Sequence, residues 1–297
     1  MNKYYNIDIN KKFLPSIGNF FSPIVLHSFE QNNNSSYFTE VCKNSRIFEK
    51  IDLSISLGEF FDIIFNFLLK NYRNEYVYKN LIANKILLGK HSLKTSQILM
   101  EFRIGKNKAD FIILNGTSTV YEIKTEYDSF TRLDKQINSY SKAFEFVNVI
   151  TSPSQVKKIR CLLPENIGIL SLTNRNTIST IRKAKSNIEN INLSILFDSL
   201  RKSEYLDVVK NYYGYIPDVP NTKIYNVSKK LYCKIPKEKA IKLTYNKLKE
   251  RNYSDFILQQ IKKVPDSLIS YILSIGSDEK RVKKTLKVFE KELKEVI

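Results

Sequence analysis

The sequence has few cysteines and histidines, the residues that build disulfide-linked and metal-ligated scaffolds. Its 297 residues include three cysteines, Cys42, Cys161 and Cys233, and two histidines. An odd number of widely separated cysteines argues against a disulfide framework and against a zinc site. A histidine-based catalytic centre would have to borrow most of its groups from other residue types. Carboxylates and lysines are therefore the candidates for chemistry.

Glycine and long apolar runs are also scarce. The chain has 8 glycines and no Gly-rich phosphate loop or helicase motif, which argues against an ATP-driven motor. No apolar stretch is long enough to span a membrane, and the first ten residues lack the apolar core of a signal peptide. The hydrophobic content of 42% supports a proper core. We expect a globular, cytoplasmic protein without membrane association.

The charge of the chain is strongly unbalanced. Lysine and arginine number 48 against 30 aspartates and glutamates, a net charge of +18. Such an excess favours a polyanionic partner, because neutralising a phosphate backbone releases counterions and gives sequence-independent affinity. The competing interpretation is that the lysine content reflects a compositional bias and that the protein binds no polyanion. Together with the motif described next, the charge predicts nucleic acid as the partner, DNA in preference to RNA.

Two carboxylates and a lysine form the most informative pattern in the sequence. Asp110 stands twelve positions before Glu122, with Asn115 and Gly116 between two apolar runs. Asn-Gly is typical of tight hairpin turns, so the two runs should pair as antiparallel strands. Alternation along the second strand places Glu122 and Lys124 on the same face. Both carboxylates and the lysine are therefore expected at one end of a hairpin.

This grouping suits hydrolysis of a phosphodiester. Mg²⁺ binds through one or two carboxylates while keeping waters and substrate phosphate oxygens. We predict Asp110 and Glu122 as ligands of Mg²⁺ or Mn²⁺, with Lys124 orienting the attacking water or stabilising developing charge. Glu-x-Lys in a strand is more often only a solvated face with two opposite charges. The spacing and the hairpin favour the catalytic interpretation.

These residues resemble the motif of the PD-(D/E)xK nuclease superfamily, which includes restriction endonucleases and RecB-type exonucleases. Ala109 stands where the superfamily label has proline, which leaves the metal ligand in place. Downstream, Gln136 and Tyr140 are similar to the Gln-x-x-x-Tyr element of the RecB-type branch. Residues 74–88 also resemble an uncharacterised bacterial family of that superfamily. The resemblance implies a restriction-endonuclease-like mixed sheet flanked by helices.

The residues around Gln136 independently predict a helix. Apolar side chains recur at helical spacing through residues 132–144, so one stripe should face the sheet. Gln136 and Tyr140 lie one turn apart on one face. Gln136 could then reach the catalytic end of the sheet and assist there. For Tyr140 we favour packing in the core.

The resemblance also implies a further acid, and the sequence offers two. Glu75 begins a predicted helix over residues 75–88, for which Asn74 is a candidate cap. Glu101 lies in the predicted first strand, residues 97–104, and could face Asp110 across the turn at residues 105–107. We prefer Glu75 as an additional catalytic and metal-binding acid. An acid in the first helical turn also stabilises the helix dipole, so a purely structural role competes.

The remaining patterns predict an α/β organisation in three parts. An N-terminal extension covers residues 1–54, the nuclease-like core residues 55–185, and a Lys-rich helical accessory domain residues 186–297. Within the core we expect a buried helix at residues 58–69, strands at 145–151 and 167–173, and a helix between those strands. The strand at 145–151 should lie parallel to that of Glu122. Beyond residue 174 we expect helices at 238–251, 254–263 and 279–296, and one short strand at 224–227.

The expected function is a Mg²⁺-dependent nuclease that acts on DNA, in a bacterial defence or mobile-element setting, with the endo- or exonuclease mode left open. An RNA-cleaving toxin or effector using the same residues is one alternative. A basic nucleic-acid-binding scaffold with a nuclease-like fold and no chemistry is another. Cutting of both DNA strands by one site per chain would favour a homodimer. A protein partner that supplies specificity is equally compatible with the sequence.

Overall fold

A computed structural model describes residues 7–84, 96–251 and 253–297. Contacts divide the chain into two units, Met1–Lys90 with Tyr253–Ile297, and His91–Asn252. This division differs from the predicted boundaries. Residues 186–251 belong to the unit that contains the sheet, whereas residues from 253 onward belong with the N-terminal part of the chain.

The sheet unit is built on one mixed sheet of six strands in sequential order. The strands β1 to β3 are antiparallel, β3 to β5 are parallel, and β5 and β6 are antiparallel. Their bounds are β1 Gln97–Ile104, β2 Asn107–Asn115, β3 Thr117–Lys124, β4 Phe146–Thr151, β5 Gly168–Leu172 and β6 Ile178–Arg182. The α/β class with a mixed sheet flanked by helices is therefore as predicted.

The antiparallel half forms through two tight turns. Gly105 and Gly116 have φ values of +57° and +73°, a backbone region that glycine enters without steric cost. The turn at Gly116 pairs Asn115 with Thr117, and the register continues to Phe111 opposite Tyr121. This is the predicted hairpin, and it sets the face on which each carboxylate lies.

The rest of the sheet confirms two predicted strands and adds one that was missed. Strand β4 lies parallel to β3, and β5 parallel to β4. Strand β6, Ile178–Arg182, was not expected, because it is short and most of its exposed side chains are polar. It forms because β5 offers an edge with which it pairs through a short turn.

Among its described residues, the sheet unit has six α-helices, α6 to α11. Helix α6 contacts β2 and β4, and α8 contacts β1 and packs with α10 and α11. Helix α10 covers the residues where a short strand was predicted, so that prediction was wrong. Its apolar residues sit on one side of a helix and pack into the group around α9. The bounds are α6 Leu133–Ser141, α7 Val156–Leu162, α8 Leu193–Asp198, α9 Lys202–Tyr213, α10 Asn221–Tyr232 and α11 Lys237–Lys249.

Helix α11 is tied to the sheet by a buried hydrogen-bonded link. The Ser118 hydroxyl donates to the Tyr245 hydroxyl at 2.6 Å, and Tyr245 in turn donates to the carbonyl of Ala143 at 3.1 Å. Ser118 also accepts from the backbone N–H of Glu145 at 2.9 Å. The link therefore joins β3, the end of α6 and α11 within one apolar core.

The other unit has an aromatic core formed largely by phenylalanines. Helix α4, the buried helix predicted at residues 58–69, contributes Phe60, Phe61 and Phe65 to it. Asn74 caps α5 by accepting from Val77 N, as predicted. Residues 85–88 of the predicted helix lie outside the described residues. The bounds are α1 Leu14–Gly18, α2 Pro23–Asn32, α3 Ser36–Asn44, α4 Leu57–Asn71 and α5 Glu75–Ile82, then α12 Asp255–Ile261, α13 Ile269–Ile275 and α14 Glu279–Phe289.

A buried carboxylate explains why the C-terminal helices join this unit. Glu30 on α2 is 1% exposed and accepts from Tyr271, Arg281 and Thr285 at 2.6, 2.8 and 2.7 Å. These donors lie on α13 and α14. Helix α14 ends at Phe289, earlier than predicted, and the chain beyond it pairs with residues before α4. Within the described part of the chain, no helix is long and apolar enough to cross a membrane.

Tyr245→Phe is expected to destabilise the sheet unit by about 1–3 kcal/mol, because Ser118 and the Ala143 carbonyl lose a buried hydrogen-bond partner. Urea unfolding followed by circular dichroism measures the change. Tyr212→Phe is the matched control, since Tyr212 is 38% exposed. Equal stability of the two variants would contradict a stabilising role for the link.

Candidate active site

The candidate site is centred on the carboxylate of Glu122, which is 2% exposed. Lys124 Nζ lies 2.7 Å from Glu122 Oε1, and Gln136 Nε2 donates to the same oxygen. The hydroxyl of Tyr140 donates to Glu122 Oε2 at 2.8 Å. The structure thus brings together three of the predicted site residues, Glu122, Lys124 and Gln136, and adds Tyr140 to them.

Helix α6 supplies two of the three donors. Leu133 and Ile137 are buried with Val120 of β3 in one apolar core, which fixes the helix against the sheet. Gln136 and Tyr140, one turn apart, then both reach the same carboxylate. Tyr140 is fully buried, as expected of a core residue, and its hydroxyl also directs the carboxylate. Sequence reasoning placed it in the core and missed that second role.

The electrostatics of Glu122 reflect its burial. Removal from water raises the pKa of Glu122, and Lys124 with the hydrogen bonds from Tyr140 and Gln136 lowers it again only in part. Burial and the neighbouring Glu122 also raise the pKa of the Tyr140 phenol. Tyr140 therefore remains a hydrogen-bond donor at any physiological pH. A cation bound at Glu122 would keep its carboxylate ionised.

Asp110 lies beside Glu122 on the neighbouring strand. Its Oδ2 accepts from the backbone N–H of Ile123 at 2.8 Å, so its carboxylate is held against β3 next to Glu122. Asp110 is partly exposed, whereas Glu122 is buried. The two predicted carboxylates therefore lie on neighbouring strands at the same end of the hairpin, one partly exposed and one buried.

Buried hydroxyls continue from Lys124 across the parallel strands. The register pairs Lys124 with Thr151, and Thr151 with Ser171, which places the three side chains on one face. Thr151 Oγ1 and Ser171 Oγ are buried and have no hydrogen-bond partner among the described residues. No sequence signal indicated these residues, because single hydroxyls in apolar strands are common. Because these two buried hydroxyls have hydrogen-bonding capacity left over, the end of the sheet at Lys124 is polar.

The donor set fits a hard divalent cation. Gln136 Oε1 is buried and also lacks a hydrogen-bond partner among the residues that the structure describes. With Asp110 and Glu122 it makes an all-oxygen set of the kind Mg²⁺ prefers. The described ranges contain no group of three or more His, Cys, Asp or Glu side chains that could hold a metal. A cation here would therefore have to complete its coordination with water or substrate oxygens.

The two candidates for a further acid lie in different units. Glu75, in the first turn of α5, pairs with Lys79 at 2.6 Å in the unit of the N-terminal helices. Glu101 lies in β1 between the Met100–Phe111 and Phe102–Ala109 pairs, opposite Asp110, and its carboxylate pairs with Lys108. Its φ of +53° is uncommon for a residue other than glycine. A metal-binding role for either acid stays a prediction.

Fold and site together define an α/β protein with a buried carboxylate beside a lysine at the end of an interior strand of a mixed sheet. By sequence, the chain belongs to the family of bacteriophage P4 protein cII, which matches residues 69–270. Protein cII of Enterobacteria phage P4 is 26% identical over 181 residues, covering 59% of this chain and 62% of that protein. The chain thus spans less than two thirds of that relative's length. No solved structure matches the chain.

Tyr140→Phe is expected to raise the pKa of Glu122 further, because Oε2 loses its donor. Carbon-13 NMR titration of labelled glutamate carboxyls measures this without any assay of activity. Tyr121→Phe is the control, since Tyr121 points to the opposite face of β3. A Glu122 titration that is the same in Tyr140→Phe as in the parent protein would show that the hydrogen bond does not tune this carboxyl.

Proposed function

We propose that the protein is a Mg²⁺-dependent nuclease of the PD-(D/E)xK type that hydrolyses phosphodiester bonds in DNA. The observation that carries the proposal is the buried carboxylate of Glu122, held by Lys124, Gln136 and Tyr140 beside Asp110. A solvated Glu-Lys pair would need no such enclosure. Burying a charge is costly unless it is paired and hydrogen-bonded. The burial of Glu122 with three donors therefore favours a functional role over a chance arrangement of charges.

Asp110 and Glu122 would hold the metal, and Gln136 Oε1 offers a further oxygen next to them. When bound, Mg²⁺ would polarise a phosphoryl oxygen of the substrate and lower the pKa of a water. Tyr140 and Gln136 keep the Glu122 carboxylate in one orientation, so that no reorganisation is needed on binding. The enclosed Glu122 and open Asp110 leave one side of the pair for the substrate phosphate.

Lys124 would act on the charge that develops during the reaction. Its side chain is 11% exposed and lies 2.7 Å from Glu122 Oε1, which keeps the ammonium beside the reacting centre. An ammonium in a weakly hydrated site stabilises an oxyanion far better than one in water. It can also donate to the attacking water and so orient it.

Two further features support the proposal. The antiparallel hairpin of β2 and β3 followed by the parallel β4 and β5 gives the mixed sheet that the resemblance implies. The net charge of +18 supplies affinity for a phosphate backbone. The cII relative is a phage protein by name. We propose a mobile-element setting for this chain as well.

Asp110→Asn is expected to lower metal-dependent cleavage by roughly a thousandfold or more, because several kcal/mol of metal stabilisation are lost. The amide can still accept from Ile123 N, so folding should be preserved. Cleavage is measured on circular duplex DNA, circular single-stranded DNA and structured RNA, each with Mg²⁺, Mn²⁺ or EDTA. Asp134→Asn, the same change at an exposed position of α6, is the matched control.

Parental cleavage by Asp110→Asn would overturn the assignment of the site. Cutting of RNA alone would replace DNA as the substrate and favour the effector alternative. If the parent protein cuts nothing but binds nucleic acid in a salt-dependent manner, the scaffold alternative replaces the nuclease. Lys124→Met provides a second loss-of-function variant of nearly equal volume, with binding measured in EDTA as the check on folding.

Metal affinity is expected to fall as the pH is lowered. Because burial raises the pKa of Glu122, its carboxyl is protonated at a pH where an exposed one is ionised, and a cation must displace that proton. Calorimetry of Mn²⁺ binding between about pH 5 and 8 tests this. Glu122→Gln should bind weakly at every pH. An affinity of the parent protein that is constant over this range would contradict Glu122 as a ligand.

A further inference from the structure

The sheet unit carries a one-sided positive charge from the end of helix α9 through α10. Between residues 209 and 237 the sequence has six lysines, at positions 210, 223, 229, 230, 234 and 237, against one acid, Asp218. Helix α10 itself contains three of these lysines and no acid. It differs in this from α11 and α14, the other lysine-rich helices, which contain or adjoin glutamates.

Most of these lysines are available to a ligand. Lys229 is paired with Asp198 at 2.6 Å and serves the fold. Lys210, Lys223 and Lys230 are exposed and have no ion-pair partner among the described residues. Lys223 and Lys230 are seven residues apart on α10, two turns, so they project from the same side of the helix about 10 Å apart.

Exposed tyrosines adjoin the lysines. Tyr212 and Tyr215 are 38% and 52% exposed, on either side of Gly214, whose φ of +84° ends α9 and turns the chain. The ring of Tyr213 lies 4.8 Å from that of Tyr212 and 6.2 Å from that of Tyr215. The aromatic group is therefore an ordered cluster of three rings with two outer faces open to water.

The cluster is fixed to the helix that carries the lysines. Tyr213 donates its hydroxyl to the carbonyl of Leu231 at 3.0 Å, next to Lys230. Tyr213 thus connects the aromatic cluster to α10, the helix that carries Lys223 and Lys230. Rigid aromatic rings next to unpaired lysines are the combination that single-stranded nucleic acids bind, since bases stack on the rings while phosphates meet the cations.

We propose that Tyr212, Tyr215, Lys210, Lys223 and Lys230 form a binding face for single-stranded DNA. A duplex presents its phosphates but keeps its bases stacked on one another, so only a single strand uses both the rings and the lysines. Binding here needs no metal and no cleavage. The choice of DNA over RNA rests on the proposed function, whereas the preference for a single strand rests on the exposed rings.

The test is binding of a labelled 20-nucleotide oligothymidylate to full-length protein in EDTA, by fluorescence anisotropy across a series of salt concentrations. Lys223→Glu with Lys230→Glu should weaken binding at least tenfold and flatten its salt dependence. Tyr212→Ala with Tyr215→Ala should weaken binding to the oligonucleotide by about tenfold and leave binding to a duplex unchanged. Tyr215→Trp should retain the affinity, because the larger ring still stacks.

The control for charge is Lys280→Glu with Lys287→Glu. These exposed lysines of α14 are also seven residues apart, so the change in net charge and the spacing are the same. Equal weakening by this pair would show a general charge effect and overturn the proposed face.

Equal loss of duplex and single-strand binding in the tyrosine variant would overturn stacking. Tighter binding of oligouridylate than of oligothymidylate would overturn the assignment to DNA. Cleavage that persists without binding at this face would leave the proposed nuclease intact, so the two proposals fail separately.

Discussion

The enclosure of one carboxylate determines the arrangement of the sheet unit around its candidate site. Glu122 is buried at the interface of a sheet and a helix, where an unpaired charge would cost several kcal/mol. Its donors come from two elements, Lys124 from β3 and the pair Gln136 and Tyr140 from α6. Helix α6 must therefore pack at one position along β3. The burial of Glu122 and the position of α6 thus depend on each other.

The same principle operates in the other unit with a different outcome. Glu30 is as deeply buried as Glu122, but three hydrogen bonds from α13 and α14 satisfy it, and their effect leaves its pKa below the ordinary value despite burial. Glu122 keeps a raised pKa, and the amide oxygen beside it lacks a partner among the described residues. One carboxylate therefore joins helices, whereas the other, in the proposed function, would bind a cation. The contrast supports chemistry at Glu122 and structure at Glu30.

Lysines in this chain divide in a similar way. Lys124 and Lys229 face carboxylates and are held by them, whereas Lys210, Lys223 and Lys230 are exposed to solvent. A net charge of +18 by itself predicts only general attraction to polyanions. The proposed face around α10 would make that attraction specific, because it combines exposed rings with exposed lysines. A cleavage site and a binding face for single-stranded DNA would then have complementary functions within one unit.

Local sequence patterns determined a good part of this protein. Asn115 and Gly116 specify the hairpin, strict alternation places Glu122 and Lys124 on one face, and helical spacing brings Gln136 and Tyr140 together. These features depend on neighbours in the chain, and the structure has them as predicted. Tertiary structure decided the rest. The role of Tyr140 at Glu122 and the return of α13 and α14 to Glu30 depend on partners remote in sequence. A hydroxyl or a buried carboxylate has no local signal, since its hydrogen bonds are settled only when distant elements meet.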